Sequence, residues 1–183
     1  MASAFLDAIR LVRATAEQHG FRVALIGGFA LPFHGVRRAT GDVDFLIDAS
    51  GADALHAALL HSGYEALHRS ADVANYRAVR TTAAGIDVLY AHRAPTIAML
   101  DRARIPAGSI EVPVVDAEAL IGLKLQALVN DPRRRRQDEA DIVQLLRSNL
   151  PTLNLPLLDE YFTLFDEQDA LARFLDEARQ DDG

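Results

Sequence analysis

The sequence predicts an α+β fold, a mixed β-sheet with helices on one side and further helices at its C-terminal end. Three observations predict it. Short runs of β-branched and apolar residues cluster between positions 22 and 115. Beyond 115 the apolar residues fall instead at helical spacing. An amphipathic stretch precedes the first β-type run, and strands followed by helices are the pattern of an α+β architecture. With 183 residues, half of them apolar and a quarter charged, the chain has ordinary globular composition and enough length for a real core. Residues 1–150 are expected to form that body, and 151–183 an acidic C-terminal helical extension.

The elements follow in order. Positions 1–19 read as an amphipathic helix stopped by Gly20. RVALI (22–26) is a buried strand entering the glycine turn Gly27-Gly28. Residues 29–34 have room for one or two helical turns before Gly35, and 42–47 has strand composition. Residues 51–62 carry Leu55, Ala58 and Leu59 on one helical face, with Gly63 as the stop. Residues 73–79 and 86–90 read as strands joined by a hairpin loop over 81–85. A short helix is expected over 95–103, then a strand over 110–115 that Pro113 confines to an edge. Asp116 is placed as the N-cap of a helix reaching Val129, which Asn130-Asp131-Pro132 breaks. A second helix covers 134–147, and two more occupy 157–180.

Composition excludes several classes of function. There is no cysteine, so disulfides, thiolate zinc sites, iron–sulfur clusters and a cysteine nucleophile are all ruled out. The net charge is −7, and the nine acids and two arginines from Asp159 onward account for all of it. Residues 1–158 are neutral, which argues against a broad nucleic-acid-binding face. No stretch approaches the roughly 18 apolar residues of a membrane span. The N-terminal segment lacks the long apolar core of an export signal, so the cytoplasm is expected. The six histidines show no metal-ligand spacing. Of the 19 basic residues 18 are arginine; the single lysine is Lys124.

The stretch from Leu25 to Asp48 carries the chemistry. A strand closed by Gly27-Gly28 lets backbone approach a ligand where a Cβ would obstruct it. Backbone N–H groups at such a turn, with a helix start behind them, suit phosphate. Asp42 and Asp44, at i and i+2 of a strand, project from one face while Val43 and Phe45 take the other. Two such carboxylates repel unless a cation lies between them, and all-oxygen ligands suit Mg²⁺. Without context the pair reads equally as a turn and a solvated strand residue. Asp87, alone in the apolar run 86–90, is costly to bury without a partner. If its strand lies beside 42–47, three carboxylates share one site, as in two-metal phosphoryl or nucleotidyl transfer.

Lys124 falls on one helical stripe with Ala117, Ile121 and Leu128. Two roles suit it: a snorkelling side chain whose ammonium reaches solvent, or an ammonium aimed into a cleft to hold phosphates. Asp138 and Asp141, three residues apart, share a helix face. The run Arg133–Arg136 reads as a wet helix face or as a local phosphate- or RNA-binding patch.

ALIGGFALPFHGVRRATGDVDFLID resembles the signature of the DNA polymerase β-like nucleotidyltransferase superfamily. His34-Gly35 followed by Arg38-Ala39-Thr40-Gly41-Asp42-Val43-Asp44 is similar to its minimal bacterial branch, the AbiEii-type toxin nucleotidyltransferases. Leu120-Ile121-Gly122-Leu123-Lys124 and Arg135-Arg136-Gln137-Asp138-Glu139-Ala140-Asp141-Ile142 match two further blocks of that branch. The resemblance covers about 22–147. It implies a polymerase β-like palm core that moves an NMP from an NTP to an acceptor hydroxyl with Mg²⁺ as cofactor. Asp42, Asp44 and Asp87 would be the catalytic metal ligands, with Asp87 also taking the acceptor's proton. Gly27, Gly28, Arg38 and Lys124 would meet the phosphates, and Thr40 and Asp141 would support them. Small aminoglycoside nucleotidyltransferases share the first block, so RNA, protein and small molecules all remain acceptor classes. The branch also implies an antitoxin partner. The rival expectation is a catalytically silent nucleotide-binding module.

Overall fold

The computed structural model describes residues 2–79, 82–107 and 111–180. Two parallel strands at the centre of an otherwise antiparallel sheet organise its first part. β1 (Val23–Ile26), β2 (Asp42–Asp48), β3 (Tyr64–Arg69), β4 (Val73–Ala78) and β5 (Gly85–Ala91) lie in the order β1-β2-β5-β4-β3. β2 runs parallel to β5; the other neighbours are antiparallel. A crossover therefore joins the two central strands, and it runs through a helix over Ala52–His61 and then the antiparallel pair β3–β4.

Period-two patterning sets the two faces of the sheet. In register, Val43 meets Ile86, Phe45 meets Val88 and Ile47 meets Tyr90, while Ala74 and Tyr76 of β4 continue the same face. All eight side chains are buried. α3 (Ala52–His61) covers this face, where His56 Nδ1 lies 3.1 Å from the Tyr76 hydroxyl. α1 (Ala2–His19) packs on α3 and on β2. α2 (Gly27–Ala30) starts at the glycine pair itself, and α4 (Ala94–Arg102) follows β5. The stops at Gly20 and Gly63 hold, each with positive φ as a left-handed helix end requires.

Two segments differ from expectation. β3 is a strand that the sequence does not announce: four of its six residues are exposed, so no alternation marks it, and pairing with β4 alone defines it. Of the strand expected over 110–115, Ile110 lies outside the described residues, as does Thr81 of the hairpin loop. The rest forms only isolated bridges, Val114 with Leu25 and with Arg104. Pro113 has no N–H to donate, and its carbonyl accepts from Leu25 N at 2.8 Å. The edge placement that proline predicts is kept, while a full ladder is not.

The chain divides into two compact units, Met1–Ala30 with Arg38–Val115, and Leu31–Arg37 with Asp116–Gly183. The second unit is helical: α5 (Ala117–Asn130), α6 (Arg135–Asn149), α7 (Leu155–Leu164) and α8 (Gln168–Arg179). Asp116 caps α5 as expected, accepting from Ala119 N at 2.8 Å. The Gly122 backbone admits the Tyr161 ring of α7, since a Cβ there would lie 2.9 Å from it. Phe162 and Phe174 join α7 to α8 edge to face, with ring centroids 6.0 Å apart. Apart from Leu31–Arg37, the second unit begins at Asp116. α6 packs against both α5 and α8, which groups α5 and α6 with the terminal helices. Among the described residues no helix is long and apolar enough to cross a membrane.

Candidate active site

The face of the sheet opposite the apolar one carries the three aspartates. Parallel pairing sets Asp44 directly opposite Asp87 and Asp42 opposite Gly85. Cross-strand partners share a face on backbones about 4.8 Å apart, and Asp42 and Asp44 share it by their i, i+2 spacing. Asp42 is exposed, and Asp44 and Asp87 are half-buried. The condition that the sequence leaves open, adjacency of the two aspartate strands, is met by this register.

Two glycines make room for the acids. Gly27 holds φ +62, and a Cβ built on it would overlap Asp44 Oδ2. A Cβ on Gly85 would overlap Asp42 Oδ1. Any larger residue at either position would push a carboxylate aside. Gly28 is tight against Thr40, whose Cβ and Oγ1 would lie 3.0 Å from a Cβ there. The Thr40 hydroxyl donates to the Asp42 carbonyl at 3.1 Å, bracing the entry to β2. Half-buried Arg38 lies in the same approach segment. The glycine turn, Thr40 and the Asp-x-Asp strand thus assemble in one place, as their spacing suggests.

Two residues at this face have no sequence signal of their own. Asn75 of β4 lies in register with Asp87, and its Nδ2 donates to Asp87 Oδ1 at 2.7 Å. Gly85 reads in the sequence only as the end of a hairpin loop. Both owe their place to strand register, and an asparagine inside a β-type run is the one hint available.

The electrostatics of β2 change along its length. At its far end Arg22 donates to both oxygens of Asp48, at 2.7 and 3.0 Å, and holds that carboxyl below the usual carboxylate range. At the near end Asp44 faces another carboxylate across the strands. Carboxylates so arrayed favour a cation among them, and an all-oxygen set selects a hard one. Among the described residues no three histidine, aspartate or glutamate side chains form a ready-made metal cage. An open array is what Mg²⁺ uses, with one or two carboxylates from the protein and its other ligands from water and substrate phosphates. The all-oxygen donor set fits such an ion, and the bare backbones of Gly27 and Gly85 leave the Asp44 and Asp42 carboxylates their places in it.

Lys124 belongs to the second unit. Its stripe-mates Ala117, Ile121 and Leu128 are buried as expected, and so is Lys124, at 6% exposure. A snorkelling ammonium is therefore excluded. Nζ lies 2.9 Å from Asp138 Oδ1 and 2.7 Å from Asp141 Oδ2, the two acids that share a face of α6. The other Asp138 oxygen is buried without a hydrogen bond, and Arg134 Nε is 3.4 Å from it. In this arrangement Lys124 ties α5 to α6. The arginine run is largely matched at home: Arg133 to Asp131, Arg134 to Asp138, Arg135 to Glu139 and Glu167. These pairs favour the solvated helix face over a phosphate patch.

Comparison with known proteins gives the family and supports the fold. The model of the nucleotidyl transferase AbiEii toxin family, of type IV toxin–antitoxin systems, matches residues 10–182. The solution structure of the antibiotic-resistance factor ANT(2'')-Ia has a TM-score of 0.64 at 14% identity, covering 92% of this chain and 94% of that one. The crystal structure of ANT(2'')-Ia with adenylyl-2''-tobramycin has a TM-score of 0.61 at 14% identity, covering 90% and 98%. An antigenic nucleotidyltransferase-like protein from Paracoccidioides brasiliensis has a TM-score of 0.54 at 19% identity, covering 94% and 92%. No curated protein matches by sequence. At these identities the likeness to the solved structures is one of fold, the nucleotidyltransferase fold. The match over 10–182 goes further: the chain belongs to the AbiEii nucleotidyltransferase toxin family.

Proposed function

We propose that this chain moves a nucleoside monophosphate from a nucleoside triphosphate to an acceptor hydroxyl, with Mg²⁺ held by Asp42, Asp44 and Asp87. The observation that carries this reading is the parallel register that opposes Asp44 to Asp87 with Asp42 two residues along. Bound there, Mg²⁺ supplies neutralisation of the phosphate oxygens' charge. The backbone N–H groups at Gly27 and Gly28 cradle the phosphates, and Arg38 adds positive charge to them. Thr40 keeps the Asp42 backbone fixed. Asp87 accepts the proton of the acceptor hydroxyl as its oxygen bonds to the α-phosphorus. The bond from that phosphorus to the bridging oxygen breaks, and pyrophosphate leaves. Positioning and a pre-formed field provide most of the rate.

For Lys124 and Asp141 the resemblance suggests contact with the phosphates and support for it. The paired ammonium favours a different role, joining α5 to α6, since two of its three N–H donors already meet buried carboxylates. Exchange for arginine separates the roles: a fork cannot reproduce a compact charge between two carboxylates, so stability falls before nucleotide affinity does. A nucleoside triphosphate substrate fits a cytoplasmic setting, and membership of a type IV toxin family supports a cognate antitoxin.

The test is a screen with labelled ATP, CTP, GTP and UTP plus Mg²⁺ against tRNA, protein and small aminoalcohol acceptors. Tobramycin belongs among the last, because the ANT(2'')-Ia complex contains its adenylyl derivative. Label should reach one acceptor class and be lost with a chelator. Nucleotide bound without any transfer would identify a silent nucleotide-binding module instead.

A further inference from the structure

We infer that Asn75 is a positioning residue for Asp87, fixing the rotation of its carboxylate so that it meets the cation in one orientation. This rests on the metal reading of Asp42, Asp44 and Asp87. Across the sheet, register makes a single row: Asp44 on β2, Asp87 on β5 and Asn75 on β4. Asp87 thus has a carboxylate on one flank and an amide on the other. The amide Nδ2 donates to Asp87 Oδ1 at 2.7 Å. The amide orientation follows from chemistry, because an amide oxygen turned to a carboxylate would be repelled. With one oxygen held, the terminal torsion of Asp87, otherwise broad, is restricted.

Two features make this more than a local hydrogen bond. Asparagine is disfavoured in strands, and β4 sets it at a half-buried position between Ala74 and Tyr76, where a β-branched residue would suit the backbone better. A local rule broken at a strand interior marks a site-directed residue more often than a structural one. The donor is also neutral. An arginine or lysine at 75 would orient Asp87 equally well but would cancel the charge that draws the cation, as Arg22 does for Asp48 at the far end of β2. Groups that hold a metal-ligating carboxylate from behind typically change metal affinity or activity by about 10- to 100-fold when removed.

The experiment compares wild type, Asn75→Ala, Asn75→Val and Asp87→Asn by Mn²⁺ titration, following the free-ion electron paramagnetic resonance signal, and by thermal melting. Valine favours a strand but carries no donor for Asp87, so it protects against a variant that fails to fold. Both Asn75 variants are expected to bind Mn²⁺ about tenfold more weakly. The melting temperature should be unchanged for alanine and unchanged or raised for valine. In transfer assays with the acceptor that the screen identifies, kcat should fall with KM for the nucleotide retained. Wild-type Mn²⁺ affinity in both Asn75 variants, with Asp87→Asn weakened, overturns this inference alone. A lowered melting temperature in Asn75→Val also overturns it, by making the residue structural. Unchanged Mn²⁺ affinity in Asp87→Asn overturns the metal reading on which it rests.

Discussion

The two units each gather acidic side chains, and they treat the charge in opposite ways. In the helical unit Asp138 and Asp141 are buried and closed by an ammonium from the same chain, Lys124. In the sheet unit Asp42, Asp44 and Asp87 are exposed or half-buried along one face, and the group held to Asp87 from β4 is a neutral amide. The first cluster completes its electrostatics internally, so it holds helices together. The second lies open along the sheet with Asp44 opposite Asp87, and on the proposed reading that is where a cation and a nucleotide would bind. Acidic clusters are therefore better sorted by what neutralises them than by how many carboxylates they hold.

Replacing an acid of the open array should separate activity from stability most sharply. Asp44→Asn is expected to lose about 10³-fold in transfer rate, of the order lost when one key electrostatic contact to the transition state is removed. Its melting temperature should hold or rise, because a like-charge repulsion with Asp87 is relieved. In the closed cluster the outcome should invert. Lys124→Met leaves two buried carboxylates without their cation and should cost about 3–5 kcal/mol in urea unfolding. Replacing all three members by apolar residues of similar size should recover most of that loss, because a buried ion cluster contributes less than its breakage costs.

Smaller changes sharpen the contrast further. Gly85→Ala sets a Cβ against Asp42 Oδ1 and 3.3 Å from the Tyr76 carbonyl oxygen, at a position without positive φ, so folding should be weakened only slightly. Displacing the carboxylate should lower transfer by about a hundredfold, measured as kcat/KM. The smallest effect belongs to Asp48, the acid of β2 that has its own arginine. Its carboxyl is held below the ordinary range by Arg22, so its contribution to stability is present above about pH 4. That contribution disappears as pH falls through the depressed value. Asp48→Asn should therefore melt slightly below wild type at pH 7, by less than about 1 kcal/mol given the exposure of Arg22, and equally with it at low pH.

Local signals account for what the sequence made legible. Gly20 and Gly63 end helices because a left-handed residue is needed there, and Asp116 caps α5 through its own side chain. The Asp-x-Asp strand and its glycine turn are a continuous stretch, so they could be read together. What escaped depends on pairing. β3 is an edge strand with little buried alternation, and its existence follows from β4 rather than from Tyr64–Arg69 itself. Asn75 and Gly85 matter because β2, β5 and β4 align at one register, which no single segment encodes. Lys124 was visible as an oddity on an apolar stripe, and Asp138 and Asp141 as face-sharing neighbours. Only the packing of α5 on α6 joins those two facts.

The most direct test of the open array is thermal melting of wild type and Asp42→Asn, each with and without Mg²⁺ and a mixture of the four nucleoside triphosphates. A ligand that binds only the folded state raises its stability, by about 2.7 kcal/mol at a hundred times its Kd. Wild type should be stabilised most when metal and nucleotide are both present, and Asp42→Asn should show little of that combined effect. Equal stabilisation of the two proteins would contradict the assignment of these aspartates as the site where cation and nucleotide meet.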